Sequence, residues 1–220
     1  MEKLGASNKL LILIFILGCG VNHENPQSKS KFLYREPANN VKISGAIKKY
    51  SEYFIRETLG AMTKETQEAV GQIIVCPSRD DCKDFTEKEV GHCHYPEIKI
   101  CILERKLSRG AVWHEAEHAA YHKLGEETWA EWKKIAGDVY GKVSKKYPRE
   151  GVLDDYAAKD HFEDVAMWVE YCYSYCDGLW TPFPKIKDKD DPRYIQKLSF
   201  LLQKKKISRE IYDKILPLLK

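Results

Sequence analysis

Two histidines four positions apart, with a glutamate directly after the first, make His114-Glu115-Ala116-Glu117-His118 the segment of this chain best suited to chemistry. On a helix, positions i and i+4 lie on one face, so both imidazoles can reach a single ion. Glu115 then projects beside that ion, where a general base for a bound water belongs. The pattern is that of a zinc hydrolase, provided that the segment is helical and a third ligand exists. His122 continues the i+4 series. At a rise of about 1.5 Å per residue, however, it lies about 12 Å along the axis from His114, too far to share an ion. The segment also lacks the glycine that turns the chain back toward the metal in the longer three-histidine motifs. The third donor must come from another part of the chain.

The surrounding sequence supplies elements to hold the motif. Ser108 is placed to cap a helix over Arg109 to Leu124, ended by Gly125, and this helix carries both histidines. Upstream, Val41, Ile43, Ile47, Tyr50, Phe54 and Ile55 recur at helical spacing and predict one helix from Asn40 to Leu59. A short helix follows over Thr63 to Val70, then a β-branched strand from Gln72 to Val75. A strand pair, Val90 to His94 and Glu97 to Leu103, is expected around Tyr95-Pro96, since Ile98, Ile100 and Ile102 alternate with Lys99 and Cys101. Thr128 reads as the cap of a helix through Trp129, Trp132, Ile135, Ala136 and Val139, and Asp160 as the cap of one over Phe162 to Tyr175. Two further helices, Pro192 to Lys205 and Ser208 to Leu218, end the chain. Trp113, Tyr121, Trp129 and Trp132 are assigned to the core. A helix-rich α+β domain with a small sheet accounts for this pattern.

The segment richest in donors beyond the motif is 156–166, with Asp160, His161, Glu163 and Asp164. Glu163 opens a helix whose apolar residues Val165, Ala166, Trp168 and Val169 would pack on the motif helix. Its carboxylate would then complete a His-His-Glu set. Asp160-x-x-Glu163 is also the pattern of a capping box, in which Glu163 folds back on its own helix end. The residues by themselves leave these alternatives open.

The N-terminus reads as an export signal. Lys3 and Lys9 precede the apolar run Leu10 to Leu17, too short for an ordinary transmembrane helix. The ending Ile16-Leu17-Gly18-Cys19 has the form of a bacterial lipobox, which makes Cys19 the expected lipidation site and residues 1–19 the signal. Residues 20–38 form a polar tether. The chain is thus expected to be an exported, membrane-anchored lipoprotein on an extracytoplasmic face. An even number of further cysteines, Cys76, Cys82, Cys93, Cys101, Cys172 and Cys176, fits an oxidising compartment and up to three disulfides. A second metal site around His92-Cys93-His94 is the rival reading, but its spacing matches no regular zinc pattern. With a net charge of +3 over 220 residues, nothing points to a nucleic-acid partner.

Taken together, His114-Glu115-Ala116-Glu117-His118, Tyr156 and Glu163-Asp164-Val165-Ala166 resemble the catalytic domain of the anthrax lethal factor-like zinc metallopeptidases. In that family a Tyr stands seven residues before the ligand Glu, as Tyr156 does before Glu163, and the spacing from second His to Glu is similar. The resemblance covers roughly Glu97 to Leu218 and rests on motif and layout. It implies a zincin-like metallopeptidase domain over 39–220, with one Zn2+ held by His114, His118 and Glu163. It further implies Glu115 as catalytic base and Tyr156 facing the substrate. The chain departs from the family at Met167, which stands where an acidic residue often follows the ligand Glu by four positions, and in its export signal, tether and cysteines.

The expected activity is that of a zinc metalloendopeptidase acting on a peptide or protein substrate. Glu115 would activate the water, and Tyr156 would steady the oxyanion. The strand Glu97 to Leu103 would either hold an extended substrate as an added strand or serve as core. The alternative is a catalytically silent scaffold that binds peptide or protein without cleaving it, for which an intact Glu115 and Tyr156 have no use.

Overall fold

The computed structural model describes residues 36–45, 49–78, 80–81, 91–94, 99–141, 148–179, 183–186, 188 and 190–220. The signal segment, Cys19, residues 20–35 of the tether, Cys82 and the Tyr95-Pro96 turn lie outside the described residues. The end of the tether already belongs to the fold. Ala38 is buried, its amide donates to the Arg56 carbonyl, and the Arg56 guanidinium returns hydrogen bonds to the carbonyls of Ala38 and Val41.

The architecture is α+β. Strands β1 (Lys42–Gly45), β2 (Gln72–Cys76), β3 (Gly91–His94) and β4 (Lys99–Leu103) form a sheet in the order β1-β2-β4-β3. β1 and β4 run parallel to β2, and β3 is antiparallel to β4. The helices are α1 (Lys49–Gly60), α2 (Lys64–Ala69), α3 (Arg109–Leu124), α4 (Glu126–Ala136), α5 (His161–Asp177), α6 (Pro192–Gln203) and α7 (Arg209–Ile215).

Two sequence expectations are corrected here, and one left open is decided. The single helix expected from Asn40 to Leu59 is instead a strand followed by a helix. Val41 and Ile43 fit either period, and in-register pairing of Lys42–Gly45 with Gln72–Val75 selects the strand. Thr128 does not cap α4. Gly125 occupies that position, and the Thr128 hydroxyl donates back to the Leu124 carbonyl. Finally, β4 cannot accept an added substrate strand, because β2 and β3 pair with both its edges. It is core, and among the described residues β3 is the edge strand on that side.

One face of the sheet carries Ile73, Val75, Ile100 and Ile102, all fully buried against the helices. α3 lies in the middle of the helical layer, covered by the sheet, α1, α2 and α5, so nearly every side chain from Ala111 to Tyr121 is buried. A helix enclosed on all sides is normally apolar all round. α3 instead buries His114, Glu115 and Glu117, and each buried polar group requires a partner. Trp113 shows the ordinary solution: its ring is in the core and its indole donates to the Thr58 carbonyl at 3.0 Å. Tyr121 and Trp132 are buried as expected, whereas Trp129 is half-buried. α5 lies against α3 through Val165, Trp168, Val169 and Cys172. Burying each large apolar side chain of this set contributes about 1.5–3 kcal/mol, and together they hold the two helices at a set spacing.

Sheet and helix geometry also govern the cysteines. Cys76 is disulfide-bonded, whereas Cys93, Cys101, Cys172 and Cys176 carry thiols. The expected three-disulfide pattern is therefore not formed at these four. Cys93 is in register with Ile100, and Cys101 with His92, so the two thiols leave opposite faces of the sheet. Cys172 and Cys176 lie one turn apart on α5, both buried. Burial pushes the Cys93 thiol up to about 12 and the Cys176 thiol up to about 11, which keeps both protonated and unreactive near neutral pH. Among the described residues no helix is long and apolar enough to cross a membrane.

Candidate metal centre

The His114 and His118 side chains leave the same face of α3, and α5 brings Glu163 over them. α3 begins where expected, with the Ser108 hydroxyl accepting from the Ala111 amide at 3.1 Å, and ends at Gly125. α5 begins at Asp160, whose carboxylate accepts from the Phe162 and Glu163 amides at 2.9 and 3.0 Å. Asp160 thus makes the N-cap half of a capping box, but the Glu163 side chain does not fold back to complete it at the Asp160 amide. It reaches across to α3. Glu163 Oε2 lies 3.0 Å from His114 Nε2 and 3.4 Å from His118 Nε2, and the two Nε2 atoms are 3.1 Å apart.

These separations can be tested against an ion. Donors at about 2.0–2.1 Å from a tetrahedral zinc lie roughly 3.3 Å from one another. The triangle of 3.0, 3.1 and 3.4 Å has that size, and His114, His118 and Glu163 form a group able to hold a metal ion. The other donors of the 156–166 segment are engaged elsewhere. Asp160 is the helix cap, and Asp164 pairs with Lys197. The His161 ring packs among Tyr121, Trp129, Tyr140 and Phe162. His122 stacks on Phe162, away from the triangle.

Glu170 belongs to the site, although the sequence motifs do not single it out. Its Oε2 lies 3.2 Å from His114 Nδ1, so that ring is held at both nitrogens. Two signals point to it. Glu170 stands seven residues, two helical turns, after Glu163 and thus on the same face of α5. Gly110 also sits in the first turn of α3, where glycine costs about 1 kcal/mol relative to alanine. A Cβ at Gly110 would lie 2.5 Å from Glu170 Oε1, so the glycine makes room for the carboxylate.

Glu115 points toward the sheet side of the site and is 5% exposed. A Cβ at Gly91 would lie 2.5 Å from Glu115 Oε1, so only glycine at this point of the edge strand β3 admits the carboxylate. Burial raises the Glu115 pKa, against the lowering pull of His118 and His114. Tyr156 lies on the turn before α5, its ring centroid 5.8 Å from that of His114, and at 39% exposed its phenol is accessible. Asp154 secures this turn by accepting from the Ala157 amide and from the Tyr171 hydroxyl.

The electrostatics favour a positive charge among these donors. Burial would lower the His114 pKa, but its hydrogen bonds to the Glu163 and Glu170 carboxylates outweigh it and raise the value to about 10. Burial would raise that of Glu163, and the two imidazoles outweigh it, holding the carboxyl well below the usual range. Protonation of His114 thus satisfies both carboxylates. Since the folded pKa of His114 exceeds its ordinary 6.5, its contribution to stability is complete below pH 6.5 and lost as pH rises through about 10. The chelator-treated full-length chain is therefore expected to lose denaturant resistance, by a few kcal/mol, over that window. The same titration on His114→Asn should be nearly flat below about pH 8, where the buried thiols do not yet titrate; an equal decline in both proteins over that range would assign the effect to other groups.

Comparison with protein-family models, with curated proteins and with solved structures finds no match.

Proposed function

We propose that this chain is a zinc-dependent metalloendopeptidase, exported and lipid-anchored through Cys19, with a zincin-like domain. The reading rests foremost on the triangle of His114, His118 and Glu163, in which three donors from two helices converge at ligand-to-ligand spacing with Glu115 alongside. The likeness of this motif and its spacing to the lethal factor-like peptidases points the same way.

His114, His118 and Glu163 would hold a zinc ion, which would supply Lewis acidity toward a peptide carbonyl and a bound water. The remaining work falls to the chain. Glu115, desolvated by Gly91 and the sheet, accepts the proton of the attacking water and passes it to the leaving amine. Tyr156 donates a hydrogen bond to the developing oxyanion, an interaction worth a few kcal/mol in comparable sites. β3, the edge strand beside Glu115, offers backbone groups to which an extended peptide would add as a further strand. Glu170 fixes the His114 tautomer by accepting from Nδ1–H, which leaves the Nε2 lone pair aimed at the triangle.

The direct test measures zinc in the purified full-length chain and its cleavage of a broad peptide library. About one zinc per chain with chelator-sensitive cleavage is expected. Zinc binding without any cleavage would favour the alternative, a peptide-binding lipoprotein on the same scaffold. Glu170→Gln should bind zinc about 10–100-fold more weakly while keeping its helix content, as loss of an orienting partner does elsewhere. Competition with a chromophoric chelator reads this out, and an unchanged affinity would remove Glu170 from the site.

A further inference from the structure

The C-terminal helical unit buries two lysines, and each pairs with a carboxylate directly adjacent in sequence to a ligand. Lys197, on α6, places its ammonium 2.5 Å from Asp164 Oδ2 and 2.8 Å from the Gly151 carbonyl. Lys206, in the turn after α6, lies 3.1 Å from Glu117 Oε1. All four side chains are essentially inaccessible to solvent. Asp164 also receives the Tyr140 hydroxyl and the Trp132 indole, whereas Glu117 meets Lys206 as an ion pair without hydrogen-bond geometry, and among the described residues neither of its oxygens has a hydrogen-bond partner. The Lys206 backbone is itself fixed, its amide donating to Leu201 and its carbonyl accepting from Tyr173 on α5.

A buried ion pair is no better for stability than apolar side chains of the same volume. What it adds is position, since separating two buried opposite charges is costly and the pair therefore resists displacement in a way that an apolar contact does not. Successive helical residues are about 100° apart around the axis. Holding Glu117 on the core side therefore sets the angle at which His118 leaves α3, and holding Asp164 sets that of Glu163 on α5. Ligand constellations need their donors held to within about 0.5 Å.

Resting on the zinc reading above, the geometry points to Lys197 and Lys206 as positioning residues: two buried pins from one C-terminal unit that set the azimuth of both ligand-bearing helices. The pairs are tested by neutralising both partners at near-constant volume, as E117Q/K206M and D164N/K197M, in the full-length chain. Zinc affinity is measured by chelator competition, site geometry by the visible spectrum of the Co2+-substituted protein, and the fold by circular dichroism and thermal melting. Each variant is expected to keep a near-parental dichroism spectrum and melting midpoint, to bind zinc about 10–100-fold more weakly, and to show an altered Co2+ spectrum. A folded variant with parental affinity and spectrum overturns the assignment. Should a neutralised pair fail to fold, K197R and K206R keep the charge but displace the donor. They are expected to weaken zinc binding several-fold with a shifted Co2+ spectrum, and parental values there overturn the assignment equally. A parent chain that binds no zinc overturns the metal reading itself, an outcome distinct from tight binding by parent and variants alike.

Discussion

Glu163→Ala is expected to abolish metal retention while leaving the fold in place. The carboxylate supplies the only donor from α5 to the triangle, 3.0 and 3.4 Å from the two imidazoles. Truncating an orienting partner costs about 10–100-fold in affinity, so loss of a ligand itself should exceed about 100-fold. Thermal stability gives an independent reading. Zinc at 1,000 times its dissociation constant stabilises the folded chain by roughly 4 kcal/mol, and the variant should lose nearly all of that increment. Helix α5 should survive, because Asp160 and not Glu163 satisfies its first amides. Parental zinc content in Glu163→Ala would move the third ligand elsewhere and undo the metal centre described above.

Glu115→Gln is expected to separate binding from chemistry. The amide has the shape of the carboxylate, so it fits the space left by Gly91 on β3. Glu115 makes no edge of the ligand triangle, and zinc content should stay near one per chain. Peptide hydrolysis should fall by about 10²–10⁴-fold, the usual contribution of a positioned general base. Single-turnover cleavage of the best library peptide, with matched zinc content, is the appropriate measurement. Equal rates in parent and variant would place the base on another residue.

Much of this site is legible in the sequence, and what is legible there is local. Ser108, the 109–124 periodicity and Gly125 define α3 from within one stretch of chain, and the i, i+4 spacing puts both imidazoles on one face. Asp160 starts α5 in the same way. The pattern misleads where neighbouring segments are equally consistent with two periods, as at Val41 and Ile43, or where a cap has a competitor, as at Thr128. Glu170 leaves a trace in the seven-residue spacing from Glu163 and in the helical Gly110, but a lone glutamate on a helix has many uses and only its distance to His114 gives it this one.

By itself, the order of residues determined the helices that carry the donors, the pairing of His114 with His118, and the chemistry that a glutamate between them implies. Helix periods and caps depend on groups within a few positions of one another, so they need no knowledge of the fold. Only the tertiary structure decided which carboxylate of 160–164 closes the triangle, that Glu170 holds the far nitrogen of His114, that β3 and not β4 lies at the sheet edge, and that Lys197 and Lys206 pair behind the ligands. Each of these depends on segments tens of residues apart meeting in an interior where water is excluded. There an unpaired charge is costly, so whichever partner the packing brings within about 3 Å becomes the one that counts.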